Sequence, residues 1–159
     1  MYKKLKASRI FSLIFIIGNV FAAIPNAYAD FGVKPWTMAI FGGIASGSPS
    51  DGLVGFGIYR RFKAKLELGI DVIELSSDQT VTQTGVVFNY YLNDGRFSAF
   101  VGGEAGKNFS GTQPFIVGPQ AGFDYHLNED LSFGARAQYL LGTKMLYEII
   151  GAKLYFKAN

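Results

Sequence analysis

The sequence has no cysteine and a single histidine, His126. An exported chain without cysteine has no disulfide staple, no thiolate nucleophile and no thiolate metal centre. Charge is also scarce. Asp, Glu, Lys and Arg make up 17% of the 159 residues, against roughly 25% in soluble domains. Four of the 15 basic residues (Lys3, Lys4, Lys6 and Arg9) precede the first hydrophobic run, which leaves 11 against 12 acids in the remainder. A near-neutral body of this kind gives no electrostatic footprint for nucleic acid. No domain linker, low-complexity tract, charge run or convincing helical period follows Pro35. Aromatic residues and glycine are plentiful instead, at 16% and 20 residues.

The N-terminus reads as a removable export signal spanning residues 1–29. A basic start leads into an apolar run from Ile10 to Ile24, Pro25 breaks it, and Ala27-Tyr28-Ala29 supplies the small–x–small site for cleavage before Asp30. This predicts export through the general secretory pathway. The alternative is an N-terminal membrane anchor, for which the run is short of the ~20 residues a span requires. Residues 30–159 form the body, one domain by length.

From Pro35 onward the chain falls into alternating runs, predicted as strands over 35–45, 53–62, 65–75, 81–92, 96–107, 114–127, 131–141 and 145–156. Such strands are long for a globular sheet and match the 9–11 residues that cross a bilayer at a tilt. The turns at "RFKAK", "NDG" (Asn93 to Gly95) and "NED" (Asn128 to Asp130) are tight and polar. Those between them ("SGSPSDG", "SSDQT", "NFSGTQ" and the brief "GTK") are loop compositions. Every neighbour can pair antiparallel through a hairpin, an up-and-down meander without crossovers.

The two faces of these strands are unlike. "KLELGIDVIEL" sets Leu66, Leu68, Ile70 and Val72 against Lys65, Glu67, Gly69 and Asp71. On nearly every strand the polar parity carries glycine. Glycine weakens a strand and covers nothing, so water is a poor explanation for it. A narrow interior on which eight strands converge is a better one. The charges on that parity also balance: Arg61, Lys65, Arg136 and Lys153 against Glu67, Asp71, Glu104 and Asp124. Such a set is tolerated in a closed interior when paired and hydrogen-bonded, with Arg136 as its hub and Asp124 and Glu104 as the expected partners. The fold expected is therefore all-β, an eight-stranded antiparallel up-and-down transmembrane barrel whose leucines face lipid. The alternative is a secreted soluble barrel of lipocalin type with the faces exchanged. Two local departures are expected. Ile73 breaks the parity of the third strand and puts Glu74 outside, which suggests a bulge. Pro119, inside the sixth, suggests a bulge or break. The first strand is apolar on both parities.

The stretches "FSAFVGGEAG" and "PQAGFDYHLNEDLSFGARAQYLL", each a glycine–aromatic strand with the second running through a tight polar turn into the next strand, resemble small Gram-negative outer-membrane barrels of the OmpX/OmpA transmembrane-domain type. The resemblance covers the whole body and is one of pattern. It implies an outer-membrane location, with lipids including lipopolysaccharide as surroundings and the barrel-assembly machinery as a partner in biogenesis. It also implies termini and the three tightest turns on the periplasmic side, and a monomer. The terminal aromatic common in such barrels is here Phe156, followed by Lys157-Ala158-Asn159.

Chemistry is sparsely indicated. Some outer-membrane barrels modify lipid A with a His, a Ser and an acid, but His126 is followed by Leu127-Asn128 and lacks the His–x–Ser pattern. Its position, at the periplasmic end of the sixth strand, is also remote from the outer leaflet. "GGEAGK" (Gly102 to Lys107) lacks P-loop spacing and is strand. The four acids read as an ion-pair network before they read as a general acid/base pair or a hard-cation site. No catalytic, cofactor or metal residue is assigned. A side-chain-filled interior argues against a wide channel, and outer loops of about seven, five, six and three residues argue against a large binding surface. A lipid A-modifying enzyme and a narrow channel remain the alternatives to a structural or surface-interaction role.

Overall fold

The computed structural model describes residues 35–46, 51–62, 65–76, 80–109, 115–141 and 143–157. The expected signal peptide and its cleavage site (Ala27, Ala29, Asp30) lie outside them. Eight strands follow: β1 (Trp36–Ser46), β2 (Asp51–Phe62), β3 (Leu66–Ser76), β4 (Val81–Tyr91), β5 (Phe97–Asn108), β6 (Phe115–His126), β7 (Leu131–Leu140) and β8 (Met145–Phe156). Each pairs antiparallel with its neighbours in sequence, and β8 returns to pair with β1, closing a barrel.

The turns at one end form for local reasons. Asn93 accepts the Ala99 N–H at 2.8 Å and donates its amide to the Phe97 carbonyl at 2.6 Å, tying β4 to β5. Asn128 accepts the N–H groups of Asp130 and Leu131 at 2.8 and 2.9 Å, an Asx turn that starts β7. This end also carries Trp36 and Phe156, paired to each other.

The stagger of the barrel is read from one path of paired residues. The Pro35 carbonyl accepts the Arg61 N–H at 2.8 Å. From Arg61 the path runs through Glu67, Asn89, Gly102, Gln120, Gln138 and Tyr147 to Ala45. It comes back to β1 ten positions above its start. Eight strands with that shear tilt by about 40° and enclose a barrel of about 8 Å radius, just wide enough for side chains to fill.

Ladder registry corrects the first expected irregularity and confines the second to one side of β6. β3 pairs without interruption with β2 from Leu66 to Ser76 and with β4 from Leu66 to Leu75, so Ile73 causes no bulge. Ile73 points inward in register and Glu74 outward. What changes at Ile73 is the chemistry of the interior, not the period. At Pro119 the ladder to β5 is unbroken (Gly103 opposite Pro119), whereas the ladder to β7 stops at Gln120. Beyond the proline the Leu141 N–H donates to the Val117 carbonyl at 2.9 Å in the same register. The missing N–H of Pro119 thus leaves a gap of one rung on one side only. β1 is also settled: Thr37, Ala39 and Ala45 are buried inward, while Met38, Ile40 and Ile44 are exposed outward.

The distribution of side chains is inside-out for a protein in water. Large apolar residues stand exposed on the outer wall, Ile40 at 70% and Ile150 at 69% among them, while Glu67, Asp71, Glu104 and Asp124 are buried. Aromatic residues gather on the outer wall near the turn end, where Arg60 lies over Trp36 and Phe62, and Arg96 over Tyr125, at 5.1–5.4 Å. Cations seated on rings at the edge of an apolar band are the pattern of a membrane interface.

Candidate functional site in the barrel lumen

The lumen is built in two stories. The lower story, nearer the turn end, is polar. Lys153 on β8 donates to Asp124 on β6 at 2.9 Å, to Glu67 on β3 at 3.3 Å and to the Tyr91 hydroxyl on β4 at 3.0 Å. Tyr91 in turn donates to Asp124 at 2.6 Å. Asn89 donates to Glu67 at 3.0 Å and accepts from Gln120 at 2.6 Å, carrying the network from β3 to β6. Somewhat higher, Arg136 on β7 donates to Asp71 on β3 at 2.6 Å, and the Tyr59 hydroxyl donates to the same carboxylate. Glu104 accepts from the Gln138 amide at 2.7 Å.

Glycines make room for these acids. Gly57 and Gly85 face Asp71 across their ladders, and Gly134 faces Asp124. A Cβ at Gly57 would collide with the Asp71 carboxylate, one at Gly134 with that of Asp124, and one at Gly85 with that of Glu104. At these three positions the glycine of the polar parity is the space into which a carboxylate folds; others, such as Gly55 and Gly69, make room for Phe41 and Tyr59.

The upper story is apolar. Ala45, Leu53, Ile73, Leu75, Ile116, Leu140, Tyr147 and Ile149 form one buried cluster, with Phe41, Val81 and Met145 packed against it. It includes a polar contact, the Tyr147 hydroxyl donating to Gln83, opposite Ile73, at 3.0 Å. Between the stories, beside Arg136, Lys153, Asn89 and Asp124, lies a cavity of about 40 Å³, room for roughly two or three waters. Buried atoms without a protein partner include Arg136 Nε, Glu104 Oε1, Gln120 Oε1 and Gln138 Oε1.

Of the eight charged residues assigned to the interior from the sequence, seven are in the lumen. Lys65 is not: it is exposed in the turn below Leu66, beneath the first rung of the ladder. Among the described lumen residues three cations therefore face four acids. The partners of Arg136 also differ from expectation. It pairs with Asp71, not Asp124 or Glu104. Residue 136 stands opposite Gly122 on β6, and Asp124 lies two residues lower, opposite Gly134. The stagger brings Arg136 level with Asp71 across the lumen and leaves Asp124 to Lys153. Glu104 has no salt-bridge partner among the described residues. Arg61 is buried near the turn end with its guanidinium 3.6 Å from the centre of the Tyr91 ring.

Sequence reasoning put Tyr59, Asn89, Tyr91, Gln120 and Gln138 on the inward parity without giving them a role, yet they join the charges into one network. It also missed the apolar story, although Leu53, Ile73, Leu75, Ile116 and Leu140 all lie on the parity that carries the charges lower down their strands.

His126 ends β6, buried, its ring 5.3 Å from that of Tyr155 and its backbone opposite Ser132. A serine, a histidine and the acid Asp124 thus share one end of the lumen. Ser132 is fully buried, however, with its hydroxyl 2.9 Å from that of Tyr155, and Asp124 is held by Lys153 and Tyr91. A nucleophile so enclosed has no approach for a substrate. No group of three potential metal ligands occurs among the described residues.

Solved structures give the architecture a place. The chain is similar to the N-terminal β-barrel domain of Pseudomonas aeruginosa OprF, at 18% identity and a TM-score of 0.61 over 78% of this chain and 98% of that one. It is similar to a de novo designed transmembrane β-barrel (14%, 0.62, 77% and 98%) and to Neisserial surface protein A (13%, 0.57, 76% and 96%). The chain has the fold of a small transmembrane β-barrel. No family model and no curated relative matches the sequence. At these identities the likeness concerns the path of the backbone, and a fold does not by itself imply a function.

Proposed function

We propose that this chain is an integral outer-membrane barrel with a filled interior and a structural, envelope-integrity or surface-interaction role. The observation that carries the proposal is the exchange of faces: carboxylates and cations are buried in the lumen while isoleucines, valines and phenylalanines cover the outer wall. In water this arrangement would expose a continuous apolar belt, which soluble monomers avoid. In a bilayer it is the stable one. The barrel is exported by the general secretory pathway and inserted by the barrel-assembly machinery, and it works as a monomer among lipids that include lipopolysaccharide.

The same reading makes it neither an enzyme nor a wide pore. The lower story is cross-linked by Lys153 and Arg136 through three ion pairs, and the upper story is plugged by the cluster around Leu140 and Ile73. Cell fractionation with heat-modifiable gel migration tests location and fold together. A membrane fraction whose folded and boiled forms migrate differently is expected, and a soluble periplasmic protein without a heat shift sinks the reading. Planar-bilayer recording of the purified barrel tests the interior. Steady large openings would contradict the plug.

A further inference from the structure

The three connections at the turn end carry unequal charge. "RRFKAK" (Arg60 to Lys65) joins β2 to β3 with four cations and no acid in six residues. "NDGR" (Asn93 to Arg96) sets Asp94 against Arg96, and the charges of "NED" (Asn128 to Asp130) are both acidic. The basic sector of this rim is therefore that of β2 and β3. Glu67, the acid of β3 closest to it, faces the lumen, where Asn89 and Lys153 hold it.

Within that sector Arg60 is fixed in place. It is exposed on the outward parity of β2, with Trp36 of β1 and Leu68 of β3 as cross-strand neighbours. Its guanidinium carbon lies 5.4 Å from the centre of the Trp36 ring and 5.1 Å from that of Phe62. Ring faces attract the charge and leave the N–H donors of the guanidinium fork unspent. Lys65 is exposed one strand away, just beyond the first rung between Phe62 and Leu66. No carboxylate among the described residues pairs with either cation. The wall above them is apolar, with Ile58, Leu68 and Ile70 exposed.

A donor fork held on aromatic rings at the edge of an apolar band is the complement of a lipid phosphate. A second cation beside it favours a lipid of net negative charge. A zwitterionic lipid brings its own ammonium to the same place, where Arg60 and Lys65 repel it. Arg96 is the internal contrast: it too lies over a ring, 5.3 Å from Tyr125, but it shares its turn with Asp94. We propose that the wall at β1, β2 and β3 binds an anionic glycerophospholipid of the leaflet that meets the turn end, its phosphate on Arg60 and within reach of Lys65. The proposal rests on the membrane-spanning reading above and names the lipid class that one sector of the wall selects.

Trp36 is the only tryptophan of the chain, so its fluorescence reports on this sector. The refolded body is placed in phosphatidylcholine vesicles containing equal fractions of either phosphatidylglycerol or phosphatidylcholine brominated in the upper part of the acyl chains. Quenching of Trp36 should show the anionic lipid enriched about fivefold over the zwitterionic one, the worth of one basic residue at a membrane surface. Arg60→Gln should cut the enrichment below about twofold, and Arg60→Gln with Lys65→Gln should abolish it. Arg96→Gln should leave it unchanged. Heat-modifiable migration of each variant checks that it has folded. Equal quenching by the two lipids in the wild type, or a preference that survives the double substitution, overturns the proposal while leaving the membrane barrel standing. Protection of Trp36 from both brominated lipids in a barrel that still shows a heat shift also overturns it, since a protein surface would then cover the sector. Absence of both quenching and heat shift overturns the membrane reading itself.

Discussion

The two stories of the lumen are lined by the same eight strands on the same parity, yet they are held by different forces. Below, Lys153 bridges Glu67 and Asp124, and Arg136 takes Asp71. Above, Leu53, Ile73, Leu140 and Ile149 pack without a charge among them. Parity tells a side chain which face it occupies and nothing about what fills that face. In the lower story stability depends on each charge keeping its partner, because desolvation makes an orphan expensive. In the upper story it depends on volume.

The largest test of that contrast is Arg136→Ala. It leaves Asp71 buried at the end of the Tyr59 bond without its cation and should destabilise the barrel by about 3–5 kcal/mol, measured by urea unfolding of refolded protein in lipid vesicles. A soluble barrel with exchanged faces would have Arg136 in water and the change nearly silent, so a neutral result would reverse the assignment of faces. Ala135→Arg, the preceding residue and on the opposite face with Phe123 and Ile150 as its cross-strand neighbours, should cost ~2–4 kcal/mol if it reaches the bilayer midplane, because hydrocarbon cannot solvate the charge. The two neighbours together separate lumen from lipid within one strand.

Leu140→Ala probes the upper story, where the loss is a cavity. About 2–3 kcal/mol is expected, and the unfolding midpoint should shift without a change in slope. Glu104→Gln should matter least of the lumen changes, at less than about 1 kcal/mol, since the acid has no cation to lose and an amide preserves the hydrogen-bonding shape. A large cost there would mean that Arg136 or another cation serves Glu104 after all. His126→Ala in cells should leave the lipid A acylation pattern unchanged by mass spectrometry, and a lost or gained acyl chain would make this barrel an enzyme.

The strands were legible in the sequence to within two residues at most ends, because a chain alternating between lipid and lumen leaves a strong period of two. The turn at Asn128 was legible for the same local reason, its side chain capping its own loop. The partners in the lumen were not. Which residue meets Arg136 depends on the stagger, a sum of eight ladder registers that no single strand contains. Asp124 looked adjacent because β6 is adjacent, yet the stagger carries it below Arg136 and lifts Asp71 on the far wall into reach. Lys65 was assigned inward by parity, and parity does not say where the ladder begins.

The closing ladder between β1 and β8 has a consequence for how the chain reaches this state. Seven of the eight ladders join strands consecutive in sequence, each reachable by a short hairpin search. The eighth pairs Trp36 with Phe156, the two ends of the folded body. Loop-closure entropy makes that contact the slowest to find, and until it forms both edge strands present open rows of N–H and C=O groups that hydrocarbon cannot satisfy. Insertion is therefore close to all-or-none. A chain truncated before β8 would have no stable place in a bilayer, because the barrel closes only when β8 reaches β1.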